Sequence, residues 1–255
     1  MHYIVLDLEF NQAFPFQTGK STVTVPECPF EIIQIGALKL NEQFQTVDTF
    51  NRLIQPHIYP RIHPFVEKIT GIHAEMLQGQ ADFPAVFEAF TAFIGSEDAV
   101  LCTWGKDDIK SLFKNILYYD LSVDSITDKM IDVQGYASVY LHQEAGRSIG
   151  LKNAVTALQI PISDAFHDAF SDASYTAEIF RIVHPEKIVP EIFQPLQMTA
   201  KKIRARIDTK ALFTHFTEKA GRALSEEEQS WIKEAYKLGR IQKYDLKLKK
   251  REKKE

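Results

Sequence analysis

The segment YIVLDLEF, Tyr3 to Phe10, constrains this chain more than any other stretch. Its length and its β-branched and aromatic content are those of a buried strand. Asp7 and Glu9 interrupt it with two carboxylates, groups almost never buried without a partner. Side chains at i and i+2 of a strand project to one face, so Asp7 and Glu9 converge while Leu6, Leu8 and Phe10 take the other. Two anions side by side raise one another's pKa unless a cation lies between them. A divalent metal is the economical partner. Hard oxygen ligands without thiolates or paired histidines suit Mg²⁺ or Mn²⁺ rather than zinc. The alternative is an edge strand whose acidic face stands in water.

The rest of the chain supplies the frame for such a strand. Asn11 to Phe30 carries Pro15, Gly19, Pro26 and Pro29 and is longer than an ordinary connector, which marks it as a functional or mobile loop. Glu31 to Leu40 and Gln45 to Ile54 read as two further strands, a hairpin turned at Asn41 and Glu42. The period then changes. A short helix is predicted over Phe65 to Thr70, ended by Gly71, and a longer one over Phe83 to Ile94, with Pro84 in its first turn and Gly95 past its end. Ala99 to Thr103 is a strand, Asp107 to Leu117 a helix and Met130 to Val133 a strand. Helices follow over Gln134 to Leu141, Leu151 to Leu158 and Ser171 to Val183. Antiparallel strands followed by strands alternating with helices predict a mixed α/β sheet, here five-stranded, with helices on its faces.

Length and charge divide the molecule. At 255 residues, 45% of them hydrophobic, it is one enlarged domain or a domain with an appendage. The formal charge of -4 conceals an asymmetry: up to Met198 there are 13 Lys plus Arg against 25 Asp plus Glu, and after it 17 against 9. We therefore divide the chain into a domain over residues 1–190 and a basic, mainly helical extension over 191–255 with a frayed tail. Ser225 and Glu228 form a capping box for a helix over Glu226 to Gln242. Lys247, Lys249, Lys250, Arg251, Lys253 and Lys254 make a basic run, either a grip on nucleic acid or a solvated helix end. Cys28 and Cys102 read as reduced thiols of an intracellular protein. No leader or membrane span is visible, so the expected location is cytoplasmic.

Two more places could carry chemistry. Asp108 sits in TWGKDDIKSL, after a strand and in the first turn of a helix, where functional groups of open α/β sheets collect. Asp107 and Asp108 equally suit the positive end of a helix dipole. In HDAFSDA, His167 precedes by five residues Asp172, a carboxylate in a first helical turn. Histidine can take a proton from water at neutral pH, although Asp168 and Asp172 also read as plain helix-start residues.

Taken in order, the D-x-E strand, the later Asp108 and the H-x-x-x-x-D of His167 and Asp172 resemble the DEDDh 3'-to-5' exonucleases, the DnaQ-like family. EIIQIGA (Glu31 to Ala37), VEKITGIH (Val66 to His73) and SIGLKNAVTALQI (Ser148 to Ile160) are also similar to it. TWGKDD and the long loop after the first strand look most like its branch of ERI-1 and KapD-like sporulation inhibitors. The resemblance covers residues 1 to about 190.

It implies a ribonuclease H-like fold in which Asp7, Glu9, Asp108 and Asp172 hold two Mg²⁺ ions, with Mn²⁺ as the substitute, and His167 is the general base. It also implies the activity: hydrolysis of the terminal phosphodiester bonds of single-stranded RNA or DNA from the 3' end, releasing nucleoside 5'-monophosphates. The partner would be a nucleic acid 3' end and not a membrane. Many relatives have a small hydroxyl residue after D-x-E; Phe10 and Asn11 stand here instead. Spacing from Trp104 and Gly105 favours Asp108 over Asp107. Phe10, Phe14, Phe16 and Trp104 are candidates to stack on bases or to pack in the core, with Phe10 and Trp104 retained as substrate-binding candidates. A regulatory protein that binds nucleic acid or protein without turnover is the competing function. A phosphatase with a nucleophilic aspartate would want D-x-D, which Glu9 disfavours.

Overall fold

The computed structural model describes residues 1–13, 24–95, 98–144, 146–194 and 209–240. Phe14, Phe16 and the basic run from Lys247 lie outside the described residues. Six strands form one sheet: β1 (His2–Gln12), β2 (Phe30–Leu40), β3 (Thr46–Leu53), β4 (Ala99–Thr103), β5 (Lys129–Asp132) and β6 (Glu191–Ile192), in the order β3-β2-β1-β4-β5-β6. β1 pairs antiparallel with β2 and β2 with β3, whereas β4 runs parallel to β1 and β5 parallel to β4. The mixed sheet is the one the sequence predicts, with one strand more. β6 pairs antiparallel with β5, and Phe193 just beyond it stacks on Phe113 at 5.1 Å. A two-residue strand has no period to read, so only its partners reveal it.

The helices are α1 (Pro64–Thr70), α2 (Ala74–Leu77), α3 (Phe83–Ile94), α4 (Asp107–Tyr118), α5 (Val133–Tyr140), α6 (Leu151–Ala157), α7 (Ala169–Val183), α8 (Thr209–Ala220) and α9 (Glu226–Arg240). The boundaries of α3 and β4 match the sequence expectation because Asp82 caps Ala85 N–H and Gly95 takes φ 80° at the far end. The β2–β3 connection is wider than the expected turn. Asn41 Oδ1 accepts from the N–H groups of Gln43 and Gln45 at 3.0 and 2.9 Å, and Phe44 adopts φ 58°.

β1 lies inside the sheet, so its acids are not those of an edge strand. Ile4, Leu6 and Leu8 face one apolar layer with Phe83, Phe87 and Phe90 of α3 and Leu112 and Phe113 of α4. Tyr3 and Val5 face the other layer, with Ala173, Ala177 and Phe180 of α7. Strand alternation then carries Asp7 and Glu9 onto the α7 side. The register slips after Glu9, which pairs with Gln34, whereas Phe10 pairs with Ile32. The extra residue, Ile33, packs instead with Ile62, Val66, Ile72 and Leu77. A bulge of this kind re-aims side chains where a strand reaches a functional site.

Gly36, opposite Asp7, sets how closely α7 can approach. A Cβ there would lie 2.2 Å from Phe170 N and 2.4 Å from Ala169 O. These are backbone atoms of the first turn of α7 and cannot swing aside. Gly36→Ala is therefore expected to destabilise the fold by about 3 kcal/mol or more, and to remove activity with it. Urea unfolding measures the first effect, and wild-type stability in the variant would refute the close approach.

The chain divides into two compact units, Met1–Lys201 and Lys202–Glu255, and the sheet takes in Glu191 and Ile192 beyond the boundary drawn at residue 190. Within the second unit, α9 begins with the predicted capping box. Ser225 Oγ accepts from Glu228 N–H at 3.2 Å and Glu228 Oε2 accepts from Ser225 N–H at 2.8 Å. Arg222 adds a two-pronged pair to the same carboxylate, at 3.0 and 2.6 Å. Among the described residues no helix is long and apolar enough to cross a membrane.

Candidate active site

Two elements bring three carboxylates together. β1 supplies Asp7 and Glu9, and the first turn of α7, admitted by Gly36, supplies Asp172. Oxygens of these three carboxylates lie within 4.8 Å of one another, and Glu9 and Asp172 are each only 8% exposed. Asp108, from the first turn of α4, stands outside this trio, yet its charge is the strongest that Asp7 feels. Asp107 points away, 95% exposed and paired with Lys110 at 2.7 Å.

The electrostatics are those of a site built for cations. Burial first, then the charges of Asp108, Asp172, Glu9 and Asp168, raise Asp7 well above the usual carboxylate range. Burial, Asp172, Asp108 and Asp168 push Glu9 from 4.5 to about 8. Burial and the charges of Asp107 and Asp172 push Asp108 from 3.8 to about 7. Asp172 is raised by burial, against which the His167 N–H works. Among the described residues, no cation offsets the charge on Asp7 or Glu9.

These carboxylates fit a hard divalent cation. Asp172 Oδ2 accepts from His167 N–H at 3.1 Å, while Oδ1 is buried and has no hydrogen-bond partner among the described residues. Such an orphaned oxygen in a cluster with two further carboxylates has the chemistry of a ligand for such an ion.

His167 occupies the loop before α7 with its side chain exposed and its backbone at φ 66°. Left-handed backbone at a residue other than glycine is uncommon and concentrates at functional sites. The next residue, Asp168, caps α7: its Oδ1 accepts from Ser171 N–H and Oγ at 2.9 and 3.0 Å. Its Oδ2 accepts from Gln34 Nε2 at 2.8 Å. Burial would raise the Asp168 carboxyl, but these bonds hold it below its usual value.

The two aromatic candidates part company. Phe10 lies on the opposite face of β1 from Asp7 and Glu9, against the α3–α4 layer and 6.2 Å from the ring of Phe30. Trp104 follows β4 on the α5–α7 side, with Nε1 buried and unpartnered among the described residues.

Sequence reasoning passed over the polar groups that anchor the segments around the site. Asn11 is fully buried and uses its whole amide on one segment, donating to the carbonyls of Tyr59 and Arg61 at 2.7 and 2.8 Å and accepting from His63 N–H at 2.9 Å. Glu31 accepts from the N–H groups of His57, Ile58 and Tyr59 at 2.6, 2.8 and 2.7 Å. Only their burial, which a strand pattern does not print for single polar residues, distinguishes them from surface groups.

A ribonuclease H-like sheet thus brings Asp7 and Glu9 of its central strand together with Asp172 of α7. Residues 4–180 match the RNase T family model, described as an exonuclease. The chain belongs to this exonuclease family. Human ERI1 exoribonuclease 3 is 29% identical to it over 124 residues, 48% of this chain and 32% of that protein. The PolC-type DNA polymerase III of Halalkalibacterium halodurans is 37% identical over 100 residues, 39% of this chain and 6% of that one. The match thus spans about a third of the exoribonuclease relative. Among solved structures, the nuclease domain of 3'hExo, a DEDDh family member bound to rAMP, superposes with a TM-score of 0.62 at 19% identity, covering 76% of this chain and 96% of that one. E. coli exonuclease I in complex with a dA16 oligonucleotide gives 0.53 at 15% identity, covering 71% and 40%. These likenesses show the fold. Within this exonuclease-family fold, the cluster of Asp7, Glu9 and Asp172 is the group of side chains that could hold a divalent metal.

Proposed function

We propose that this protein removes nucleotides one at a time from the 3' ends of single-stranded RNA or DNA, using Mg²⁺ or Mn²⁺ and releasing nucleoside 5'-monophosphates. The observation that carries it is the cluster of half-buried Asp7 with buried Glu9 and Asp172, and the orphaned oxygen of Asp172. Asp7, Glu9, Asp108 and Asp172 are the residues that would hold two ions. When bound, such ions supply a water acidic enough to ionise near neutral pH and neutralise charge on the phosphoryl oxygens. The protein's own groups do the rest. His167 takes the proton of the attacking water, and the 3'-oxygen of the penultimate nucleotide leaves. The His167 N–H keeps Asp172 Oδ2 occupied, which leaves Oδ1 as the oxygen without a partner among the described residues. Of the two aromatic candidates, Trp104, on the α7 side of the sheet, is the one to contact the terminal nucleotide, while Phe10 packs against the opposite layer.

The acidic first unit is a poor surface for a polyanion away from the metals. The helical hairpin of residues 209–240 does not correct this, with 6 basic against 5 acidic residues. The excess lies on either side of it, 4 against 1 in residues 199–208 and 7 against 3 in residues 241–255. We assign these flanks the electrostatic attraction of substrate.

The test is a time course on end-labelled single-stranded RNA and DNA with Mg²⁺. His167→Ala should slow turnover by about a hundredfold or more, and a chain ended at residue 198 should bind substrate with a shallower salt dependence. Oligonucleotides that are bound but left intact by the wild type would refute the proposal.

A further inference from the structure

Gln34 of β2 makes an arrangement that catalysis in the carboxylate pocket does not itself explain. It lies opposite Glu9 in the β1–β2 register and is 3% exposed. Its Nε2 donates to Asp168 Oδ2 at 2.8 Å and to Asn51 Oδ1 at 3.1 Å, and its Oε1 accepts from Ala169 N–H at 3.2 Å. Both donor positions are filled and the carbonyl is engaged, so the orientation of the amide is fixed by its partners. Two of the three partners belong to the residues that follow His167 directly.

His167 itself is held differently. Its N–H is tied to Asp172, and among the described residues no hydrogen bond reaches its ring. The side chain is exposed. Its direction therefore depends on the backbone, which sits in the left-handed region at φ 66°. Such a conformation persists only where its surroundings over-determine it. The surroundings here are two anchors: Asp172 on the N–H of His167, and Gln34 on Asp168 and Ala169 immediately after it.

We propose that Gln34 is a positioning residue for the general base. By clamping Asp168 and the Ala169 N–H, it holds His167 in the backbone conformation that aims the imidazole at the attacking water. The proposal rests on the reading of His167 as the base. Gln34 acts only through the loop and touches neither substrate nor metal.

The experiment is a double-mutant cycle with a charge-conserving rescue. Gln34→Met keeps the length and apolar stem of the side chain and removes all three hydrogen bonds. It should lower kcat by about a hundredfold, the scale of an ångström's misplacement, with KM little changed. In a His167→Ala background it should cost almost nothing further, because the group it positions is gone. The swap Gln34→Glu with Asp168→Asn reverses donor and acceptor at unchanged net charge. It should recover most of the lost kcat, within about tenfold of wild type. A purely structural role would give equal losses in both backgrounds. That result overturns the proposal, as does full activity in Gln34→Met beside a slow His167→Ala. Full activity in His167→Ala would overturn the base as well as its clamp, which separates the two failures.

Discussion

Asp7→Asn should reduce kcat by about a thousandfold or more, the equivalent of several kcal/mol of transition-state charge stabilisation. The substitution changes almost no volume, so the loss reports charge alone. Asp7 sits on an interior strand, where burial and four neighbouring carboxylates act on it together. A metal held there loses a ligand when the charge goes. The same change should leave the metal-free fold at least as stable as the wild type, because one buried anion fewer repels the rest. Turnover on end-labelled oligonucleotides and urea unfolding in EDTA measure the two halves. A variant that retains turnover would remove Asp7 from the metal site. A variant that loses both turnover and stability would make Asp7 a structural residue.

Stability should in turn depend on pH and metal together. Glu9 and Asp108 are raised in the folded protein to about 8 and about 7, chiefly by burial. The folded state thus binds these protons more tightly than the unfolded chain does. Stabilisation from such a group is fully present below its unfolded pKa, near 4, and is lost as pH rises through the folded value. The metal-free protein should therefore lose on the order of several kcal/mol between about pH 4 and 8. Mg²⁺ binds the ionised carboxylates and should restore stability at the alkaline end, by about 2.7 kcal/mol at a hundredfold excess over its dissociation constant. Thermal unfolding at pH 5 and pH 8.5, with EDTA or Mg²⁺, reads this directly. The expected pattern is a lower Tm at pH 8.5 in EDTA, recovery there with Mg²⁺ and little effect of Mg²⁺ at pH 5. Glu9→Gln should flatten the pH dependence. A Tm indifferent to both pH and metal would rule out buried, metal-seeking carboxylates.

Much of the fold is legible in the sequence because its signals are local. Apolar period marks the boundaries of α3, and Asp82 and Gly95 punctuate it at either end. The capping box at Ser225 and Glu228 forms as read. Elements whose stability is borrowed are the ones that escape such a reading. β6 is two residues held by β5, and α2 is four residues whose one buried side chain, Leu77, packs with Ile33, Ile62, Val66 and Ile72. The turn after β2 depends on the single side chain of Asn41. None of these has a period long enough to count.

The site divides in the same way. That Asp7 and Glu9 share a face is a property of any strand, and the sequence alone determines it; that they lie inside the sheet rather than on an edge strand in water is decided by the position of β1 between β2 and β4. Which further groups complete them is decided in three dimensions. The glycine at position 36 lets the backbone of α7 lie against β2, and only that approach brings Asp172, distant in the chain, within ligand reach of β1. Of Asp107 and Asp108, adjacent in the first turn of α4, Asp107 stands in solvent paired with Lys110, whereas the charge of Asp108 acts on Asp7. Phe10 falls on the far side of β1 because alternation puts it with Leu8. Chain geometry along a single element is written residue by residue. The meeting of elements depends on close packing between surfaces that no one element contains.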